Sequence, residues 1–512
     1  MKKVSQSQWN RYLKTDGKEV VKLFESAKKE NFSPKDMLKL ATRFNPQFFS
    51  SDSEKQFRLA CDFLSEIDEL TKEFRNNYQT LENDEDYISA FYNVLEFIAQ
   101  PDDSNEPIPL EDIPENQFKI PLYDIVYWSL CFYKHFPKVF IPNLFVMQFS
   151  YLKKIAEKYE IELPEVPARS KYFDRCCYYI NFCIVLDDFA TENNLSQAEL
   201  CAFLYDYEYT LAKEEAEEMH AKDMPQPSQA WFLVGNYGEG ERDMDSGFWQ
   251  ANKETRVGDI LIFYEKSPAK SINAMWRALE DGIVDPFFYY YSHTYIGHKL
   301  ELPPISLEEL RNDDYFKSHS LVRKQFQGGS GWPLNAEDYR QLKRIWSSKG
   351  FDTDTLPKLK AHEPLEAIDY TEKEAAVHKY QVIPLLADMG WTESNGDILC
   401  QVTLHVGHGE TSKKGRTDIS LHPNGKDKKK AKVVIEEKYW LKNEAEIREA
   451  YEQGLSYANL QKAKVLVVCD KIQIVVFQQA NDSDFHFENR LTFYWDEMRN
   501  PDKFLALKQI LS

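Results

Sequence analysis

Apolar and polar residues alternate in different rhythms along this chain, and each rhythm predicts a different kind of structure. Over roughly the first 218 residues the apolar positions recur at helical spacing. Ser33 followed by Pro34 predicts a helix start, and Ser196-Gln197-Ala198-Glu199 is a capping box that should open a helix over 200–207. The most apolar stretch, 122–151, is interrupted by Asp124, Lys134, His135, Pro137, Lys138, Pro142 and Asn143, which predicts a buried helical region and not a membrane span. An acidic, proline-containing linker over 101–114 separates helical groups, and 214–227 marks the next boundary.

From residue 231 the apolar runs shorten. Strands are predicted over 231–234, 257–264 and 271–278, with 302–307 leading into a short helix, a Gly-rich loop over 327–331 and a helix over 336–346. After an acidic linker the rhythm changes again: a helix over 372–386, strands over 398–405, 417–421 and 431–439, a helix over 443–461, then strands over 463–469 and 472–477. The expected architecture is multidomain, with an α-helical region (1–218), a β-rich middle domain (229–348), a linker (349–370) and an α/β C-terminal domain (371–512).

The C-terminal rhythm carries chemistry. Val433, Val434 and Ile435 lead a strand into Glu436-Glu437-Lys438, and alternation puts Glu436 and Lys438 on one face and Glu437 on the other. A preceding strand brings Asp418 alongside. Two carboxylates and an ammonium converging in this way suit Mg²⁺ or Mn²⁺, which binds carboxylate, water and phosphate oxygens. Glu374 on the first helix adds a further carboxylate as a third candidate metal ligand. On the helix after the strand, Gln453 and Tyr457 stand at i and i+4 and share one face. Lys413, Lys414, Arg416, Lys426, Lys428, Lys429, Lys430 and Lys432 form a basic patch around Asp418, where a DNA backbone would lie. Asn424-Gly425 predicts a hairpin turn between the Asp and Glu strands.

The segment 370–480 resembles the PD-(D/E)xK nuclease superfamily, most closely the nuclease domain at the start of type I restriction motor subunits. Glu374, the run 382–386 with Gly390-Trp391, Arg416-Thr417-Asp418, 435–438 and 453–458 carry the likeness. It implies metal ligation by Asp418 and Glu436, a catalytic Lys438, and supporting roles for Glu374, Gln453 and Tyr457. The long polar insert between Asp418 and Glu436 departs from that pattern. No Gly-x-x-x-x-Gly-Lys-Ser/Thr segment occurs, so no NTP is expected as a cofactor.

The middle segment resembles the EVE domain of the PUA-like superfamily, relatives of YTH and SRA domains. The residues behind the likeness are Trp231-Phe232, Trp249, Gly258-Asp259, Ser271-Ile272, 276–278 and 323–333. That resemblance implies a small β-barrel with a pocket for a modified or flipped base. Such a pocket replaces lost stacking with aromatic faces and edge hydrogen bonds. Trp249, set among Gln250, Ala251, Asn252 and Lys253, is the first candidate, followed by Trp276, Tyr264 and Trp231, with Ser271 and Asn273 for edge hydrogen bonds.

Composition changes the picture little. Of 512 residues 43% are hydrophobic and 29% charged, as in globular chains, and the start of the chain lacks an apolar signal-like segment. The net charge of −20 argues against indiscriminate nucleic-acid binding but not against local basic patches. Eight scattered cysteines without Cys-x-x-Cys spacing read as reduced core thiols of a cytoplasmic protein, and His405-x-x-His408 as a loop. The expected function is a modification-dependent endonuclease, type IV-like in logic, acting on double-stranded DNA that carries a modified cytosine, as a homodimer or a dimer on DNA. Two alternatives remain open: a DNA-degrading abortive-infection effector triggered by a partner or ligand, and a non-catalytic modified-base reader.

Overall fold

The computed structural model describes residues 2–15, 17–46, 54–77, 84–100, 107–220, 222–236, 244–364, 373–406, 413–425, 430–480 and 484–512. It is multidomain, with an all-helical N-terminal region followed by two sheet-containing regions. No helix among the described residues is long and apolar enough to cross a membrane.

The N-terminal region is built from amphipathic helices around an aromatic core. Ser33 caps the helix Pro34–Phe44 by accepting from the Asp36 amide, as its sequence predicts. The Ser196–Glu199 capping box forms too, but the α-helix it opens covers only Gln197–Ala202. A π-helical turn, Phe203–Tyr207, then joins it to the helix Glu208–His220. The apolar stretch around Pro137 and Pro142 is only partly helical. Ile125–His135 and Phe149–Tyr159 are helices, and the chain between them is irregular, because proline supplies no amide donor. Trp128, Phe132, Phe140 and Tyr179 form the centre, with Trp128 and Tyr179 edge to face at 4.9 Å.

The middle region is a single curled sheet of β1 (Ala230–Gly235), β2 (Gly247–Gln250), β3 (Ile260–Glu265), β4 (Ser271–Ala278), β5 (Ile283–Val284), β6 (Ser292–Ser306) and β7 (Trp332–Leu334). The order is β2-β6-β4-β3-β1-β7, with β5 on β6, and β1 and β3 run parallel. Bulges between β3 and β4 and between β4 and β6 bend it. The long β6 was not expected from sequence: Pro303 and Pro304 suggest a break, but they fall where its register against β4 shifts. Curling brings the two edge strands together, and the Asn252 side chain after β2 donates to the Gly331 carbonyl before β7 at 3.0 Å. At Gly331, with φ +77°, a Cβ would stand 2.9 Å from the Asn252 amide nitrogen. One face packs under the helix Ala336–Ser348, and the other buries Trp231, Leu261, Phe263 and Trp276.

The helical and middle regions do not have separate cores. Phe248 and Phe287 pack into the helical core. The buried Arg175 guanidinium donates to the carbonyls of Pro286 (3.0 Å) and Phe288 (2.6 Å), and Asp285 accepts from the Met147 amide at 2.9 Å. The described part of the expected linker is also packed: Leu356 is buried against the middle region, and the His362 amide donates to Met498.

The C-terminal region holds β8 (Ile398–Cys400), β9 (Thr403–Val406), β10 (Lys413–Arg416), β11 (Ile419–Asn424), β12 (Lys430–Glu437), β13 (Val465–Cys469), β14 (Gln473–Gln478) and β15 (Leu491–Tyr494). Six strands form one sheet, β15-β14-β13-β12-β11-β8, and β9 and β10 form a separate two-stranded ribbon. The strand expected over 398–405 is therefore two strands. Gln401 turns the chain at φ +54°, so β8 pairs with β11 and β9 leaves for β10. β11 and β12 pair antiparallel from Ile419–Ile435 to Asn424–Lys430, the expected hairpin. The helix Glu444–Gln461 crosses over one face to join the parallel strands β12 and β13. The run Lys373–Asp388 and the last helix, Pro501–Leu511, cover the other face. A π-helical turn, His378–Val382, interrupts that run.

Candidate active site

The site forms at the carboxyl end of β12. Glu436 sits near the end of the strand with 1% of its surface exposed, and Lys438 is the first residue beyond it. Their side chains meet as the alternation predicts, Nζ to Oε1 at 2.5 Å. The second oxygen, Oε2, is buried with no hydrogen-bond partner. Burial pushes the Glu436 carboxyl up to about 7, helped by the charges of Asp418 and Glu374 and opposed by Lys438. Burial alone would lower the Lys438 ammonium, but its bond to Glu436 and the surrounding carboxylates hold it above its ordinary value.

Asp418 lies just before β11, one residue later than the start of the strand expected there. Its Oδ2 accepts the Glu437 amide at 2.7 Å, which ties it to the end of β12. Glu437 faces the other way, as expected, and is buried against His378 of the π-turn at 2.9 Å. The hydrogen bond to Glu437 raises the His378 imidazole above its ordinary value. Glu374 is exposed in the first turn of Lys373–Val377 and reaches the site through charge.

The helix Glu444–Gln461 approaches closely because residue 454 is glycine. A Cβ there would stand 2.7 Å from Leu466 and 3.4 Å from the Glu436 Cβ. Tyr457 is half-buried, its ring lying where a Cβ on Gly415 would be 2.6 Å away, so it braces the β10 backbone. Gln453 is exposed on the same helix. Sequence reasoning missed a buried chain beneath the site. The Thr417 and Ser420 hydroxyls stand 3.2 Å apart, and Ser420 donates to Gln461 at 2.9 Å. Thr417 and Ser420 flank Asp418 on the buried side, and their polarity next to an apolar strand was the available signal.

The basic patch is only partly visible. Lys428 and Lys429 lie outside the described residues, and for Lys413 and Lys414 only the backbone on β10 is described. Arg416 is exposed and donates to Gln401 at 3.1 Å. Lys432 reaches the C-terminal Ser512 backbone carbonyl. His405 lies on β9, not in a loop, and His408 lies outside the described residues.

The donor chemistry fits a hard divalent cation: Asp418 and Glu436 offer carboxylate oxygens, and the unpartnered Glu436 Oε2 lacks the ligand its burial demands. No group of three or more His, Cys, Asp or Glu side chains among the described residues is close enough to form a ready-made cage. Two carboxylates with water and substrate phosphate completing the shell suit Mg²⁺, which retains water readily.

The middle region presents a different feature. A cavity of about 780 Å³ lies between its sheet and the N-terminal helices. Trp249, Phe248, Phe326 and Tyr290 line it, with Arg169 of the helical region and Lys266 as cations. Trp249 is on β2 and not in a polar loop; its ring meets Phe263 at 5.1 Å and packs over Gly235. The other expected pocket residues do not line it. Trp276 is fully buried, and Trp231 is buried and donates to Asp259 at 2.9 Å. Tyr264 is buried and stacks on Phe326 at 3.9 Å. Ser271 is buried in the β4–β6 ladder, and Asn273 donates to Glu265 at 2.6 Å. They pack elsewhere because a curled sheet needs large side chains on both faces. Nothing in the sequence pointed to Arg169, whose place on the wall depends on how the two regions dock. A second cavity of similar size, near Tyr315, His319, Asp338 and Asp502, lies where the last helix meets the middle region.

The eight cysteines are all free, and all but Cys61 and Cys400 are buried.

No family model matches the chain, and no curated protein matches it. A solved NMR structure, Rpa0253 from Rhodopseudomonas palustris, matches 23% of this chain and 94% of its own length at 14% identity, with a TM-score of 0.21, too low to indicate a shared fold.

Proposed function

We propose that this chain is a metal-dependent DNA endonuclease of the PD-(D/E)xK kind, gated by a PUA-like middle domain that reads a modified base, and that it acts in anti-phage defence. The observation that carries the reading is the buried Glu436, paired through one oxygen with Lys438 and left unpartnered at the other, beside Asp418. A carboxylate buried in this way is costly unless it serves a cation.

On this reading Asp418 and Glu436 hold the divalent ion, with Glu374 adding negative charge at the rim. The bound ion activates water and neutralises charge on the phosphate. Lys438 orients the attacking water and stabilises the charge that develops on the phosphate oxygens. Tyr457 and the Thr417–Ser420–Gln461 chain tie the helix Glu444–Gln461 to the segment that carries Asp418. In the middle region Trp249 supplies a stacking surface for a flipped base, and Arg169 and Lys266 supply positive charge for its phosphate.

The test is cleavage of matched duplexes in Mg²⁺, one unmodified and others bearing methyl-, hydroxymethyl- or glucosyl-cytosine, with Lys438→Ala as control. Cutting restricted to one modified duplex and lost in the variant supports the reading, and absence of any cutting counts against it. A second reading is favoured by one observation: the cavity is walled in part by the N-terminal region, through Met147 and Arg169. A cavity shared by two regions suits a small anionic trigger that couples them, and the nuclease would then cut every duplex equally once the trigger binds.

A further inference from the structure

Next to the catalytic strand the chain exposes a tryptophan. Trp440, two residues beyond Lys438, is 43% exposed, and Ile472 beside it is 45% exposed. Two cations lie over the indole ring: Lys471 Nζ is 4.1 Å from the ring centroid and Lys442 Nζ 5.0 Å. Neither lysine pairs with a carboxylate among the described residues. In a protein of net charge −20, unpaired lysines beside an exposed indole are an unusual local arrangement.

The platform is built, not accidental. It consists of the two loops that leave the carboxyl ends of the parallel strands β12 and β13. The Lys438 amide donates to the Cys469 carbonyl at 2.9 Å, and the Lys471 amide to the Tyr439 carbonyl at 3.3 Å. Asp470, fully buried, accepts from the amides of Leu441 (2.6 Å), Ile472 (2.7 Å) and Gln473 (2.9 Å) and so fixes both loops. From the π-turn, Gln381 donates to the Lys471 carbonyl at 3.2 Å. The backbone is therefore pinned on three sides while the indole stays open to solvent. The ring is partnered only by the two lysine ammoniums, which are long, solvent-reaching side chains that can give way to another partner.

We propose that Trp440 is a stacking platform for an unpaired nucleobase of the DNA strand entering the site, with Lys442 and Lys471 leaving the ring to grip the phosphates on either side. This rests on the nuclease reading above. A base in an intact duplex has no free face, so the platform selects a splayed or single-stranded segment next to the scissile phosphate. The lysines supply the salt-sensitive part of the affinity and the indole the salt-insensitive part.

The test is binding of a fluorescent single-stranded thymidine oligonucleotide, read by anisotropy with Ca²⁺ replacing Mg²⁺ so that strand cutting does not enter. Trp440→Ala is expected to weaken binding about tenfold, the loss of one stacked base, while Trp440→Phe retains most of it. The Lys442→Ala, Lys471→Ala double variant should lower the slope of log affinity against log salt by about 1 to 2. If the wild type binds and cuts DNA but Trp440→Ala binds equally well, the platform is wrong and the nuclease reading stands. If the wild type neither binds nor cuts any DNA, both fall. An unchanged thermal midpoint for Trp440→Ala confirms that the exposed ring does not support the fold.

Discussion

The carboxylate site of the C-terminal region and the cavity beneath the middle sheet solve opposite problems. At the end of β12 ionisable groups gather, two of them buried, and each finds a partner: Glu436 in Lys438 through one oxygen, Asp418 in the Glu437 amide, Glu437 in His378. In the cavity aromatic rings share the wall with small and polar residues, and Trp249 and Phe326 bury apolar surface without needing a partner. Charge in a protein interior is costly unless paired, so where it accumulates it marks a site. Aromatic surface is favourable to bury anywhere, so its accumulation marks only a core until an opening is found.

The sharpest way to break this contrast is to remove one group of each kind. Trp276→Ala removes a ring that is fully enclosed, so it should destabilise the protein by about 3–5 kcal/mol in denaturant unfolding. Trp249→Ala, half-exposed at the cavity, should cost much less; equal losses would place Trp249 in the core and remove it from the cavity's function. Lys438→Ala should reduce Mg²⁺-dependent cutting by about 10²–10³-fold, the usual effect of removing one stabiliser of developing charge. A variant that cuts at the wild-type rate would make the Glu436–Lys438 pair structural only.

A smaller effect is expected where the helix meets the strands. Gly454→Ala must push the helix Glu444–Gln461 away from Leu466 and Glu436, at about 1–3 kcal/mol, and should slow cutting without abolishing it. Unfolding and cutting assays on the same preparation check both halves.

The subtlest test is pH. The Glu436 carboxyl is raised in the folded state to about 7 from an ordinary 4.5, so the folded chain holds this proton more tightly than the unfolded one. Its contribution to stability is fully present below about 4.5 and is lost as pH rises through about 7. Glu436→Gln removes that dependence. In metal-free buffer the variant should therefore melt higher than the wild type at pH 8, and the advantage should vanish toward pH 4.5. A difference in melting temperature that does not change with pH would show that Glu436 is not held neutral by burial.

Much of the C-terminal site was legible because strand alternation is strict. Once Val433–Val434–Ile435 set the strand, Glu436 and Lys438 had to share a face and Glu437 had to oppose them. The helix after the strand and the Gln453–Tyr457 spacing likewise follow from local geometry. The illegible parts depended on contacts between distant segments. The split of 398–405 hinges on one left-handed residue, Gln401, and the continuity of β6 through Pro303–Pro304 on a register shift against β4. His378 reaches Glu437 only because the first helix packs on the sheet.

By itself the sequence determined the local features: the Ser33 and Ser196 caps, the β11–β12 hairpin, the shared face of Glu436 and Lys438, and the helix that follows them. These depend on neighbours a few residues apart, and backbone geometry propagates them without outside help. Only the tertiary structure decided which aromatics face a cavity and which fill a core. It also decided that Arg169 would join Trp249 across two regions, and that Asp470 and Gln381 would hold Trp440 in the open beside Lys438. Burial and partnership belong to the packed chain as a whole, and no local pattern encodes which distant surface a side chain will meet.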